Sequence, residues 1–350
     1  MNKSVFDQTQ MGNLKLKNRL IRAATGERHA IDGHYTEKDF EVYEALAKGG
    51  AGTIITGFAY VAGYPCGNGM LGIYDDSFIQ EYRKLTNMVH SYNVNIILQL
   101  VHCGSLIMTD ISGGKTLGPS AVENLNTHMT PVEMQKQDII DIRTAFAKAA
   151  VRAKQAGFDG VEIHGAHGFL LSQFLTPHYN RRTDEYGGTD ENRARMLLET
   201  YRLVREMVGS EYPVLVKINC TDGMDDGITL QGFLTACEKL AQAGADAIEV
   251  SGAWYSLKTS SYFREYAEKI AGENRPPVIL TGGLRDIDAI NDILSSTSIG
   301  YFAMSRPFIA EPDLVNRWAS GDVRKSRCIS CNKCTGTDDL KCILNGDNGI

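Results

Sequence analysis

The chain has 350 residues, 43% of them hydrophobic and 22% charged, with a formal net charge of −6 at neutral pH. This is an ordinary globular composition on a chain long enough to bury one large core, and the acidic balance argues against nucleic acid as a main partner. No apolar run approaches the ~18 residues of a membrane span, and Met1-Asn2-Lys3-Ser4-Val5-Phe6-Asp7 contains no signal-peptide apolar core. A cytoplasmic location with no membrane partner is therefore expected.

In chain order, Met11-Gly12-Asn13-Leu14 predicts a tight turn in an N-terminal hairpin that plugs one end of the fold. Leu20 to Ala24 reads as a short strand. Thr36 to Lys48 then sets Phe40, Tyr43, Leu46 and Ala47 at helical spacing, and Gly49-Gly50 stops it. Thr53 to Gly57 is the second strand, followed by a loop rich in Gly and Tyr to about Tyr74. Ser77 caps a helix through Ser91, and Ile96 to Leu100 is the third strand. Residues 103–136 form a long loop of a kind that is commonly functional. A helix from about Gln137 to Ala156 leads into Gly160-Val161-Glu162-Ile163-His164, a brief β-branched run entered through Gly157, as buried parallel strands are. Thr189 caps a helix through Val208, Val214 to Ile218 is the fifth strand, and Thr229 to Ala243 is a helix. Ala247 to Val250, Val278 to Thr281 and Ile299 to Met304 complete eight strands.

Three helix-to-strand joins look alike: Ala47 to Gly57, Lys154 to His164 and Ala241 to Ser251. Each ends a helix at glycine and enters a short buried strand. Repeated joins and eight strands favour a (β/α)8 TIM barrel over a doubly wound sheet, and no G-x-G-x-x-G opens the first unit. The expected organisation is a barrel over residues 1–322 and a cysteine-rich tail over 323–350.

In such a barrel the chemistry sits at the C-terminal strand ends. His164 and His167 stand where the fourth strand stops, flanked by Gly165 and Gly168. Gly282 and Gly283 follow the seventh strand, and Ser305 and Arg306 follow the eighth. Bare glycine backbone, a hydroxyl and an arginine there suit a phosphate. Gln99 ends the third strand with a polar group. Lys217 interrupts an apolar strand, which is expensive unless it faces an anion such as the reduced ring of a flavin. In the tail, Cys328, Cys331, Cys334 and Cys342 give C-x2-C-x2-C-x7-C. Four thiolates at that spacing suit a [4Fe–4S] cluster, with zinc as the alternative. Cys66, Cys103, Cys220 and Cys237 are scattered in the manner of single cysteines.

Over nearly its whole length the chain resembles the old yellow enzyme family of FMN-dependent ene-reductases. The resemblance is carried by Lys17-Asn18-Arg19-Leu20, Gln99-Leu100-Val101-His102, Glu162-Ile163-His164-Gly165-Ala166-His167-Gly168 and Phe174-Leu175-Thr176-Pro177. It continues through Asn180-Arg181-Arg182-Thr183-Asp184-Glu185-Tyr186-Gly187-Gly188 and Glu191-Asn192-Arg193. It implies FMN at the C-terminal face of the barrel, reduced by NADH or NADPH. Ala23, Ala24, Thr25, Gly26, Gly57, Gln99 and Lys217 would line the ring and ribityl chain, and Gly283, Ser305 and Arg306 would hold the phosphate. His164 and His167 would hydrogen-bond the electron-withdrawing group of an α,β-unsaturated small-molecule substrate. The tail resembles the cluster segment of the larger dienoyl-CoA reductase and trimethylamine dehydrogenase relatives, which implies an electron-donor protein. A homo-oligomer is also expected.

The chain departs from the family's pattern at two places. Phe169 stands where members usually have a proton-donating tyrosine, which leaves Tyr60, Tyr64, Cys103 or water as donors. Gly26 replaces the usual Cys or Thr, and Glu27 and Arg28 are expected to bring charge near the pocket. The alternatives are a dehydrogenating or demethylating relative with the same cofactor, and a non-redox barrel for a phosphorylated metabolite with Lys217 as a Schiff-base candidate.

Overall fold

Eight short strands pair side by side in chain order. They are β1 (Leu20–Arg22), β2 (Thr53–Ile55), β3 (Asn95–Val101), β4 (Gly160–Gly165), β5 (Val214–Asn219), β6 (Ala247–Ser251), β7 (Val278–Thr281) and β8 (Tyr301–Met304). Every pairing is parallel and β8 pairs back onto β1, so the sheet closes into the expected (β/α)8 barrel. The computed structural model describes residues 3–107, 116–253, 260–336 and 340–346.

Alternation along the strands divides the apolar residues between two cores. Ile21, Ile55, Ile97, Leu215, Ala247, Ile279, Tyr301 and Ala303 fill the barrel's interior. Met11, Leu14 and Leu16 of the N-terminal hairpin (Thr9–Met11 and Leu14–Leu16) seal it from below. The alternate residues, among them Ile54, Ile96, Leu98, Val161, Ile163, Val216 and Val250, face outward onto the helices. Those helices are α1 (Glu37–Lys48), α2 (Phe78–His90), α3 (Lys136–Gln155), α4 (Asp190–Val208), α5 (Leu230–Gln242), α6 (Arg264–Ile270) and α7 (Ile287–Ser296). Two of the expected caps form: Thr189 accepts from the Asn192 N–H at 3.2 Å and Thr229 from the Gly232 N–H at 2.9 Å. Ser77 instead bonds the Asp75 carboxylate through its N–H at 2.9 Å and its hydroxyl at 2.5 Å.

The segments expected to be plain loop hold short pieces of structure. Ala59–Tyr60 pairs with Leu71–Gly72 and extends β3 at Leu100 and Val101. Leu117–Gly118 pairs with Val132–Glu133 inside the long loop, of which residues 108–115 lie outside the described residues. Leu170–Leu175 forms a helix of six residues, and α6 follows β6. None is long enough to carry a readable period, and each exists because a neighbouring strand or helix offers it a surface. Past β8, the short helices Arg306–Ala310 and Leu314–Ala319 close the barrel's wall, with Trp318 buried and its Nε1 donating to the Arg324 carbonyl at 3.0 Å. Beyond them the described residues carry only the 3-10 turns Lys333–Gly336 and Ile343–Asn345. Among the described residues no helix is long and apolar enough to cross a membrane.

Candidate active site

β4 aims Glu162 and His164 into the barrel, and the chain turns away immediately after Gly165. The Ala166 N–H donates to His164 Nδ1 at 3.3 Å, which leaves the ring proton on Nε2. His167 sits at φ +60°, a region costly for a side-chain-bearing residue. It is held there by Asn219 of β5, whose Oδ1 accepts the His167 N–H at 3.1 Å, and by Ser251 of β6, whose hydroxyl lies 2.8 Å from His167 Nε2. The two rings stand edge to face with centroids 5.0 Å apart. Burial, then the neighbouring His167 and Lys217, drives the His164 pKa well below its ordinary value. Burial, then Lys217, takes His167 down to about 3. Both imidazoles are neutral at physiological pH, so each is a donor with no charge to neutralise first.

A third histidine, not singled out from the sequence, joins them. His102 follows β3, accepts the Gly104 N–H through Nδ1 at 3.1 Å, and is pushed down to about 4 by burial. Asn219 and Ser251 were likewise missed. Nothing local in the sequence marks them, although both occupy the ends of strands whose inward positions could have been counted.

Phe169 packs on His164 with ring centroids 4.7 Å apart and on Phe58 at 5.1 Å. Beside it Tyr60, Val101 and Cys66 complete a small apolar wall. Here two expectations need correction. Cys66 and Cys103 are not single cysteines: they form a disulfide across 37 residues, with Cα atoms 5.4 Å apart. The loop after β2 folds back over the end of β3 and brings them together, which no spacing rule could reveal. Cys103 therefore has no thiol proton to give. Tyr60 stacks on Tyr74 with ring centroids 5.1 Å apart.

Below the histidines, the inward positions form a polar belt. Gln99 donates to Glu162 at 2.5 Å, and Lys217 donates to Glu249 at 2.7 Å. Thr281 donates to the same Glu249 oxygen. Lys217 is thus paired with a carboxylate of the chain itself, Glu249. An ammonium held in that pair is poorly suited to Schiff-base chemistry, which needs the free amine.

At the β7 and β8 ends, Gly282 and Gly283 have φ of +107° and +74°, and a Cβ on Gly283 would fall 2.7 Å from the Ser261 nitrogen. The Thr25 hydroxyl bridges the Ala23 carbonyl at 3.0 Å and Ser305 Oγ at 2.7 Å, which laces the loop after β1 to the end of β8. Gly57 comes so close to this loop that a Cβ would lie 2.8 Å from the Thr25 carbonyl oxygen. A Cβ on Gly26 would lie 3.7 Å from the Phe58 ring. Arg306 bonds Asn332 of the tail. Glu27 and Arg28 are each taken up by partners within the chain, and Glu27 Oε2 lies 3.0 Å from where a Cβ on Gly57 would stand. Glu27 is buried against Arg22 at 2.6 Å, and burial pushes its carboxyl up to about 7 against the pull of that arginine. Arg28 reaches the Thr335 carbonyl in the tail at 2.9 Å.

The four tail cysteines line one small cavity together with Arg306 and Asn332. The Cys334 thiol is pushed up by burial first and then by Cys328, with Arg306 opposing and Cys342 and Cys331 adding less. Among the described residues, however, no three His, Cys, Asp or Glu side chains stand close enough to hold a single metal ion.

An eight-stranded barrel with a neutral histidine pair at its mouth, bare glycine backbone at the β7 end and Ser305 with Arg306 at the β8 end suits a flavin-oxidoreductase type of site. The buried Gln99 Oε1, without a partner among the described residues, and the close approaches at Gly57 and Gly283 fit a planar, phosphorylated cofactor such as FMN. Residues 4–324 match the NADH:flavin oxidoreductase / NADH oxidase family, and the chain belongs to that family. It is 34% identical over 361 residues to a metal reductase of Desulforamulus reducens, covering 99% of this chain and 54% of that protein. To an NADH oxidase of Thermoanaerobacter brockii it is 34% identical over 346 residues, covering 94% and 53%. The chain spans about half the length of these curated relatives. Among solved structures, a 2-naphthoyl-CoA reductase complex superposes with a TM-score of 0.85 at 26% identity, over 93% of this chain and 54% of the other. The old yellow enzyme homologue of Zymomonas mobilis gives 0.81 at 25%, over 94% and 96%.

Proposed function

We propose that this chain is the FMN-binding barrel of an NAD(P)H-dependent oxidoreductase that reduces an activated C=C bond. The observation that carries the reading is the pair of neutral imidazoles, His164 with its proton fixed on Nε2 and His167 braced by Asn219 and Ser251. When bound, FMN supplies the hydride. As that hydride reaches the β-carbon, negative charge grows on the substrate's electron-withdrawing group, and preorganised neutral donors stabilise it without a reorganisation cost. Ala23, Ala24, Thr25, Gly26, Gly57 and Gln99 would hold the ring and ribityl chain, with Lys217 beneath. Gly282, Gly283, Ser305 and Arg306 would hold the phosphate. Phe169 excludes water from the His164 face and has no proton to give, so the α-carbon is protonated by solvent or by the exposed Tyr64.

Cys328, Cys331, Cys334 and Cys342 would hold a [4Fe–4S] cluster that takes electrons from a donor protein. The sulfurs of a tetrahedral zinc site lie roughly 3.8 Å apart, given Zn–S bonds of about 2.3 Å. The support for a common ligand is that all four cysteines line one shared cavity.

The decisive experiment uses protein purified without oxygen. Yellow protein with stoichiometric FMN, oxidised by enones or enoyl thioesters, is expected. Replacing His164 and His167 together by alanine is expected to leave FMN bound while slowing that oxidation by on the order of 10²-fold or more. Near-normal oxidation in an FMN-loaded double variant would overturn the reading.

A further inference from the structure

The polar belt inside the barrel has an imbalance of charge. Glu162 on β4 and Glu249 on β6 are both completely buried, and Lys217 on the intervening β5 is the cation they share. Lys217 is committed to Glu249 at 2.7 Å, and Glu249 also accepts from Thr281. Glu162 accepts only the neutral Gln99 amide, at 2.5 Å. Its other oxygen, Oε1, and Glu249 Oε2 are reached by no N–H or hydroxyl among the described residues, so only a proton held between the two carboxyls can satisfy them. The remaining titratable neighbours are His164 and His167 above, both neutral. Two ionised carboxylates against one ammonium would leave a net negative charge uncompensated in a dry interior, where desolvation makes it costly.

We infer that Glu162 carries a proton in the folded protein and shares it with Glu249. Glu162 is thereby a positioning residue: as a neutral acid it leaves Glu249 as the single counter-charge that fixes the Lys217 ammonium. Strand register decides which carboxylate is ionised. Lys217 is paired in the sheet with Glu249 on one side and with His164, not Glu162, on the other. The electrostatics agree with the geometry. Burial, then the Glu249 charge, pushes the Glu162 carboxyl well above its usual range. Burial also lifts Glu249, but Lys217 and hydrogen bonds from Glu162, Lys217 and Thr281 outweigh it and hold Glu249 below. Such a pair titrates as a unit. The belt is then neutral as a whole, and Lys217 can stabilise charge arriving on a cofactor without being drawn to a second anion. That functional half rests on the proposed flavin site, whereas the proton itself does not.

Infrared spectroscopy of the full chain tests the proton without reference to catalysis. At pH 9, above the value of about 7 to which burial lifts the Glu27 carboxyl, the wild type is expected to show the C=O stretch of a protonated, buried carboxyl, sensitive to deuteration. Glu162→Gln should abolish the band, and the exposed control Glu211→Gln should leave it unchanged. Gln99→Leu should shift it without removing it, which identifies Glu162 even if Glu162→Gln does not fold. A wild type without the band, or a band that survives Glu162→Gln, would overturn the inference. In FMN-loaded protein, Glu162→Gln replaces one neutral group by another. The ratio of reduced to oxidised FMN affinity should therefore stay within about threefold of wild type. A tenfold rise, equivalent to about 30 mV for a two-electron couple, would mean that wild-type Glu162 is an anion and would also overturn it. If no variant, wild type included, binds FMN, the flavin reading fails while the infrared result still decides the proton.

Discussion

The mouth of the barrel and the cysteine tail are built on opposite principles. At the mouth, His164, Glu162, Lys217 and Glu249 project from strands whose other faces are locked into the main core, so each polar side chain is aimed before any ligand arrives. The tail has almost no core of its own. Ile329 is 62% exposed, and Ile343 and Leu344 are 44% and 46% exposed. It is tethered by polar contacts instead: Arg28 to the Thr335 carbonyl, Arg306 to Asn332, the Ser326 N–H to the Arg285 carbonyl at 2.8 Å, the Arg327 N–H to Glu311, and Arg317 to the Arg324 and Lys325 carbonyls. The barrel derives its order from apolar burial, whereas a segment this poor in buried surface would gain most from the proposed metal group.

The sharpest test of that difference is Cys331→Ser. Iron and sulfide are expected in protein purified without oxygen and are expected to vanish in the variant, with the tail becoming the first site of proteolysis and the barrel's melting temperature little changed. Metal analysis that finds neither iron nor zinc in the wild type would erase the contrast, because the tail would then be ordered without a metal.

The next largest effect concerns the disulfide, which ties the loop after β2 to the mouth. Replacing Cys66 and Cys103 by serine should cost about 3–4 kcal/mol of stability on the chain-entropy estimate for a loop of this size. Chemical denaturation under non-reducing conditions measures it. No loss would show that the loop is held by the Tyr60, Val101 and Phe169 wall alone.

Arg182 tests how the long loop is fastened behind the site. It donates to the Pro119 and Met134 carbonyls at 2.9 and 2.7 Å and forms a bidentate pair with Asp184. Arg182→Ala is expected to cost about 3 kcal/mol, from the orphaned carbonyls and the unpaired carboxylate. A loss of catalysis at full stability would instead place Arg182 in the chemistry.

Phe169→Tyr should change little or accelerate turnover, since the wild type has no proton donor there. Stopped-flow oxidation of the reduced protein by an enone is the measurement. A tenfold slowing with FMN and substrate still bound would favour a dehydrogenating reaction over alkene reduction.

The smallest effect lies on the outer surface. His90 donates to Asp159 at 2.8 Å and its pKa is raised, by that hydrogen bond first, despite partial burial. The stabilisation is fully present below the unfolded histidine value of about 6.5 and is lost as pH rises through the elevated folded value. His90→Gln should therefore cost under about 1 kcal/mol, and only on the acidic side. Denaturation midpoints across pH would show it, and an equal loss at alkaline pH would assign the effect to packing instead.

The sequence by itself determined the barrel. Glycine-terminated helices and eight short apolar runs leave few other ways to bury Ile54, Val161 or Val216, and they put Gln99, His164 and Lys217 on strands with His167 just past a strand end. The four tail cysteines were equally legible, because their spacing is local. What the sequence could not give was which residues meet across the barrel. Cys66 finds Cys103, Lys217 finds Glu249 and His167 finds Ser251 over 37, 32 and 84 residues. Nor could it show that Glu27 turns inward to Arg22 while Arg28 turns outward to the tail. Those partnerships depend on strand register and barrel closure, which bring distant residues within ångströms of one another. A periodicity identifies the face on which a residue lies, and only the closed sheet decides what stands opposite it.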